Sequence, residues 1–211
     1  MSPTTTPTVP AGTRSTKKGP RSAKIVIAGG FGVGKTTLVG TLSEIPPLTT
    51  EAAMTTASVG IDDASLSTGK TTTTVAMDFG RITVDESLIL YLFGTPGQDR
   101  FGFMWDDLVV GALGAVVLVD LRRIDECFPA IDFFESREVP FTVAVNRFEG
   151  DEQQPNLAEV ASALDLDETH PIVLCDARST ESAKAVVLSL IEVLIAAKRR
   201  ARPSAARRAI R

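Results

Sequence analysis

An apolar, β-branched run, Ala23-Lys24-Ile25-Val26-Ile27-Ala28, passes directly into Gly29-Gly30-Phe31-Gly32-Val33-Gly34-Lys35-Thr36-Thr37, and an apolar helix pattern follows from Leu38. The order is strand, glycine-rich loop G-x-x-x-x-G-K-[ST], helix. Few folds accommodate it, because the loop must turn tightly at a strand end and aim its N–H groups at one point. Those groups stand at a helix N-terminus, where the peptide dipoles favour an anion. Lys35 adds a mobile positive charge for terminal phosphates, and the Thr36 hydroxyl is a hard oxygen donor suited to Mg²⁺. The pattern therefore implies a site for a nucleoside di- or triphosphate, with residues 29–37 around the phosphates.

The chain around this motif is of single-domain size. Its 44% hydrophobic content over 211 residues is enough for a sizeable core. Cys127 and Cys175 have neither metal-ligand spacing nor a disulfide framework, so both read as packing residues in a reducing cytoplasm. No apolar run is long enough to span a membrane. Residues 1–24 carry five Lys/Arg and residues 198–211 carry seven, with no acid in either, which leaves ten bases against all 26 acids between them, a net of −16. Basic tails on an acidic body are compatible with weak peripheral contact at an anionic membrane. The favoured reading is plainer, solubility or tails folding back on the acidic body, and specific nucleic-acid binding is not expected.

Residues 1–22 are rich in Thr, Pro, Ser and Gly, and are expected to be a disordered basic tail. Residues 23–200 form the expected domain, and 201–211 a second basic tail. Within the domain, apolar runs alternate with helix patterns. Strands are predicted at Lys24–Ala28, Thr73–Ile82, Leu88–Phe93, Gly114–Val119, Phe141–Val145 and Pro171–Leu174. Helices are predicted from Lys35 to Leu42 and at about 122–136, 155–164 and 180–198. The stretch between Pro46-Pro47 and about Lys70 is polar and long for a connection, which marks it as functional or mobile. Alternating strands and helices give a three-layer α/β domain with a mostly parallel six-stranded sheet and helices on both faces. In such sheets ligands bind at the carboxyl ends of strands, where each motif here lies.

Three later segments extend the phosphate loop. Phe93-Gly94-Thr95-Pro96-Gly97-Gln98 follows the Leu88–Phe93 strand; Val145-Asn146-Arg147-Phe148-Glu149 follows another; Cys175-Asp176-Ala177-Arg178 follows the last. Together with the loop they resemble the small Ras-like GTPases, a P-loop NTPase family, in that order. The resemblance implies that Gly97 offers its N–H to a γ-phosphate and that Gln98 orients the attacking water as the catalytic residue. It implies that Asn146, Arg147 and Glu149 read the base in the manner of N-K-x-D. Glu149 would accept from the guanine N1–H and exocyclic amine, Arg147 would stack on the ring, and the Ala177 N–H would meet guanine O6. The sequence departs from the family where Gly94 stands in place of an acid near Mg²⁺. The bacterial gliding-motility (Mgl-type) GTPases make a similar departure, with T-x-P-G-Q there. Matching Thr74-Val75-Ala76-Met77-Asp78-Phe79 to their T-x-x-x-D-F selects Thr74, beside Thr36, as the second group sensing Mg²⁺ and γ-phosphate.

The whole pattern is similar to the GTPases of actinobacterial conservon operons. That resemblance implies a cytoplasmic switch that cycles between GTP and GDP with Mg²⁺, hydrolyses GTP slowly, and works with a roadblock-domain protein and other signalling partners encoded beside it. Phe31 stands where Ras-like enzymes keep a small glycine open to an incoming arginine, so a partner's arginine finger is not expected to fit. Two other readings stay open: an ATP-binding P-loop protein, and a nucleotide-stabilised interaction module without meaningful turnover.

Overall fold

The computed structural model describes residues 19–46, 48–54, 73–97, 104–150 and 154–201. Gln98 lies outside these residues, as does most of the polar stretch before Lys70 and most of both tails.

The centre of the molecule is β1 (Arg21–Ala28), whose last six residues are buried or nearly so. It begins two residues inside the stretch expected to be a tail. On one side β1 pairs in parallel with β4 (Leu88–Gly94), on the other with β5 (Ala112–Val119). Beyond β5 come β6 (Phe141–Asn146) and β7 (Ile172–Cys175), both parallel. Beyond β4 come β3 (Thr73–Asp85) and β2 (Leu48–Met54), both antiparallel to their neighbours. The order across the sheet is β2-β3-β4-β1-β5-β6-β7. All six expected strands are present. The seventh, β2, falls in the stretch predicted to be a polar connection, where L-T-T-E-A-A-M shows no apolar alternation. It pairs with β3 alone, at the edge of the sheet.

Among the described residues five helices cover the sheet: α1 (Lys35–Leu42), α2 (Trp105–Val109), α3 (Phe128–Ser136), α4 (Leu157–Ala163) and α5 (Thr180–Ala201). A 3₁₀ segment, Leu121–Cys127, leads into α3. Two cores result. On one face Leu38 and Val39 of α1 and Ala183, Val186 and Leu190 of α5 pack on Ile25, Ile27, Leu92 and Val116. On the other, Ile131 and Phe134 of α3, Trp105 of α2 and Val160 of α4 pack on Val26, Val117, Phe141 and Val143. Alternate residues of one strand thus serve opposite faces, which is why these strands read as continuous apolar runs. Ser189, one of two polar side chains in an otherwise apolar stretch of α5, is buried and pairs with Thr142 of β6 at 2.8 Å, while the Thr142 hydroxyl also reaches the Pro171 carbonyl at 3.0 Å. Cys127 and Cys175 are both buried in these cores. No helix among the described residues is long and apolar enough to cross a membrane.

The chain crosses β1 on leaving β4: β4 lies on one side of it and β5 on the other. That change of side is the crevice where open α/β sheets place their ligands. The phosphate loop begins there.

Candidate nucleotide site

The loop 29–34 leaves β1 and enters α1 through Gly34, whose φ of 106° is left-handed. A Cβ at Gly34 would lie 2.6 Å from Asn146 Nδ2, so conformation and space both require glycine here. Lys35 is buried, with its ammonium donating to the Gly29 and Gly30 carbonyls at 2.7 and 2.6 Å. Burial lowers its pKa to about 8, against the opposing pull of Asp78 and Glu126. Gly97 closes over this corner. A Cβ there would stand 2.7 Å from Lys35 Nζ and 3.0 Å from the Phe31 Cα. Phe31 itself projects outward, 63% exposed.

Asn146, the last residue of β6, is buried. Its Nδ2 donates to Val33 O at 2.9 Å and its Oδ1 accepts from Ala177 N–H at 3.0 Å. One side-chain amide thus joins the phosphate loop to the loop after β7. Beside it a cavity of about 120 Å³ is lined by Gly32, Gly34, Thr37, Asn146, Arg147, Phe148, Ala177 and Arg178. Three expected groups of site residues therefore meet in one place. Arg147 donates its backbone N–H to Cys175 O at 2.7 Å, which fixes the loop after β6 to β7. Phe148 lies under the Arg122 guanidinium, 3.9 Å from the ring centre. Asp176 pairs with Arg178 at 2.9 Å, and that pairing, with help from Arg147, holds its carboxyl below the usual range.

Other expected residues sit apart. Glu149 is exposed and does not line the cavity. The Ala177 N–H expected at guanine O6 is held here by Asn146. Thr74 lies in the β2–β3 ladder opposite Ala53, four residues along β3 from Asp78.

The structure adds an acid that the sequence reading did not assign. Asp78 of β3 is buried, and its Oδ2 accepts from Thr36 Oγ1 at 2.7 Å. Its register partner in β4 is Gly94. A Cβ on Gly94 would come within 3.0 Å of both Asp78 Cβ and Oδ2. A carboxylate thus reaches the Thr36 hydroxyl from the strand next to β4, and Gly94 leaves the room it needs. Hydroxyl and carboxylate oxygens form a donor set suited to Mg²⁺. Thr95, the next residue after Gly94, is also buried, and its hydroxyl has no partner among the described residues. A glycine opposite a strand aspartate is a signal for such an exchange, but only once the register is known.

Comparison with known proteins fits this geometry. Residues 27–197 match the family described as conserved hypothetical ATP binding protein, over a span that runs from the end of β1 into α5. The chain belongs to that family. It is similar to the uncharacterized protein MJ1339 of Methanocaldococcus jannaschii, at 32% identity over 126 residues, which are 59% of this chain and 69% of that one. Among solved structures it is similar to the FeoB G-domain from Methanococcus jannaschii, with a TM-score of 0.54 and 11% identity, over 83% of this chain and 99% of the other. That likeness is one of fold. The chain is a P-loop protein of a nucleotide-binding family, with the sheet of a G-domain.

Proposed function

We propose that this protein is a GTP-binding switch with slow, Mg²⁺-dependent hydrolysis to GDP. The observation that carries the reading is the Asn146 amide, which spans Val33 O and Ala177 N–H and brings the phosphate loop, the N-R-F-E loop and the C-D-A-R loop around one cavity. Lys35 would exchange its two loop carbonyls for phosphate oxygens, a stronger, charge-assisted partner. Thr36 and Asp78 would hold Mg²⁺, which when bound screens the phosphate charge. Gly97 would present its N–H to the terminal phosphate, and Gln98 would orient the water. Arg147 would stack on the base, and Glu149 would turn in to accept from guanine. The cytoplasmic signalling role and the roadblock-domain partner rest on the motif resemblance.

A second reading is ATP binding. It is favoured by the family's description and by the exposed position of Glu149, outside the cavity. Competition with a fluorescent diphosphate separates the two. If guanine is read by Glu149, GTP displaces the probe far better than ATP, and Glu149→Ala costs at least about tenfold in GDP affinity, since unpaired base donors cost ~1–3 kcal/mol each. Equal displacement by ATP and GTP overturns the guanine reading. The nucleotide released on denaturation of freshly purified protein is an independent check.

A further inference from the structure

We propose that Arg123 supplies, from within the chain, the cation that meets the terminal phosphate of the bound nucleotide. This rests on the phosphate-loop reading above, and holds whichever base is bound. The 3₁₀ segment Leu121–Cys127 follows β5, the strand beside β1, so its first residues stand next to the phosphate loop. Two consecutive arginines there are put to different uses. Arg122 is clamped by Asp120, 2.8 Å from each carboxylate oxygen, and faces Phe148 on the cavity side. At Arg123 the helical run breaks, with φ −145° and ψ 55°. Its guanidinium lies on the phosphate loop instead, donating from Nη2 to Phe31 O at 2.9 Å.

That carbonyl continues a series. Lys35 Nζ occupies Gly29 O and Gly30 O, and Arg123 occupies the next carbonyl, Phe31 O. Two cations therefore rest on three successive carbonyls of a loop built to hold anions. For Lys35 these contacts are the ones a phosphate replaces, and Arg123 is held in the same way. Its remaining partners among the described residues are Glu126 at 2.9 Å and Asp120 at 3.4 Å, and the Arg123–Glu126 pair is 41% and 36% exposed. A half-exposed pair of this kind exchanges readily for a multiply charged phosphate. On the Gly32 side an added Cβ would stand 3.7 Å from Nη2, so that glycine leaves the guanidinium room. Glu126 also crowds Gly30 on the rim and shares the field of Lys35. Its charge opposes an incoming phosphate and balances Arg123 before one arrives. The Phe31 ring is exposed, whereas Arg123 reaches the Phe31 carbonyl from the 3₁₀ segment of the same chain.

In hydrolysis a water oxygen forms its bond to the terminal phosphorus, the bond to the bridging oxygen breaks with its electron pair going to the leaving diphosphate, and the water's protons leave on the inorganic phosphate. Arg123 stabilises the charge on the transferring group. G proteins with an arginine in cis turn over about thirtyfold faster than Ras-like proteins without one.

The test uses the full chain with Mg²⁺, fluorescent GDP or ADP, and aluminium fluoride, which completes a transition-state mimic. The wild type is expected to form the tight fluoride complex with no partner protein. Arg123→Ala and Arg123→Lys are expected to lose it and to slow single-turnover hydrolysis about thirtyfold, while diphosphate affinity stays within about threefold. Glu126→Gln, which frees the arginine, is expected to tighten triphosphate binding. A merely structural tether predicts the same sign for both residues, because each variant breaks the same pair. Wild type that binds diphosphate but forms no fluoride complex overturns the proposal and leaves the phosphate-loop reading intact. An Arg123 variant that still forms the complex does the same. Wild type that binds no nucleotide overturns both.

Discussion

Moving one carboxylate across the β3–β4 ladder tests the acid exchange directly. Asp78 accepts the Thr36 hydroxyl at 2.7 Å, and its register partner is Gly94. Asp78→Ala removes a charged acceptor that orients the Thr36 oxygen. Groups in that position are worth about 10–100-fold in metal affinity, so Mg²⁺-dependent nucleotide binding should weaken by that factor. Gly94→Asp places a second acid where a Cβ would already stand 3.0 Å from the first. Overpacking costs roughly 1–3 kcal/mol, and two like charges opposed at a buried ladder position add to it. At about 2–4 °C per kcal/mol for a domain of this size, the melting temperature should fall by roughly 5–10 °C. The double variant Asp78→Gly/Gly94→Asp restores one acid and one gap. Its melting temperature and its Mg²⁺ midpoint should both recover most of the loss, with a coupling of about 2 kcal/mol between the sites. The assays are thermal melts and Mg²⁺ titrations of fluorescent diphosphate binding. A double variant no better than Asp78→Ala, or a Gly94→Asp protein as stable as wild type, refutes the reasoning.

Two further outcomes follow from buried groups. Lys35 has a folded pKa of about 8 against an ordinary value of 10.5, so between those pH values the unfolded chain holds the extra proton and stability rises with pH. Melts of the ligand-free wild type should show that rise and Lys35→Met should not; phosphate favours the charged ammonium, so nucleotide binding above pH 8 should take up a proton, seen by calorimetry in buffers of different ionisation heat. Thr142→Val leaves Ser189 Oγ and Pro171 O without the hydroxyl they share, and should destabilise by about 1–3 kcal/mol in urea melts, whereas Ser189→Ala, which leaves Thr142 bonded to Pro171 O, should cost less.

The parallel strands were legible because each is buried on both faces and so reads as an unbroken apolar run, as in V-V-L-V of β5 or F-T-V-A-V of β6. The same logic conceals β2. An edge strand draws its stability from backbone pairing, and T-T-E-A leaves no side-chain pattern to detect. Helix α2, at five residues, is too short for a helical period to show. The phosphate loop and Asn146 were legible as motifs because their chemistry depends on local spacing. Asp78, Arg123 and Glu126 were not, for a shared reason. Each reaches the phosphate loop or the start of α1 from a segment far away in sequence, Asp78 through the β3–β4 register and the other two from the 3₁₀ segment after β5. Glu149 shows the converse: a residue in the expected order that the fold keeps outside the cavity.

The Asn146 amide has a dynamic consequence. Both its bonds are buried and both end on loops that surround the cavity, so no loop can open alone without leaving an unpaired polar group inside the protein. The loops after β1, β6 and β7 then share a single opening event, slower than the fraying of any one of them. The Ala177 amide proton, held by Asn146 and out of water, becomes a natural clock for that event. Its exchange with solvent should keep pace with the most protected amides of the phosphate loop, and a single carboxamide removed at Asn146 would let the three loops breathe to separate rhythms.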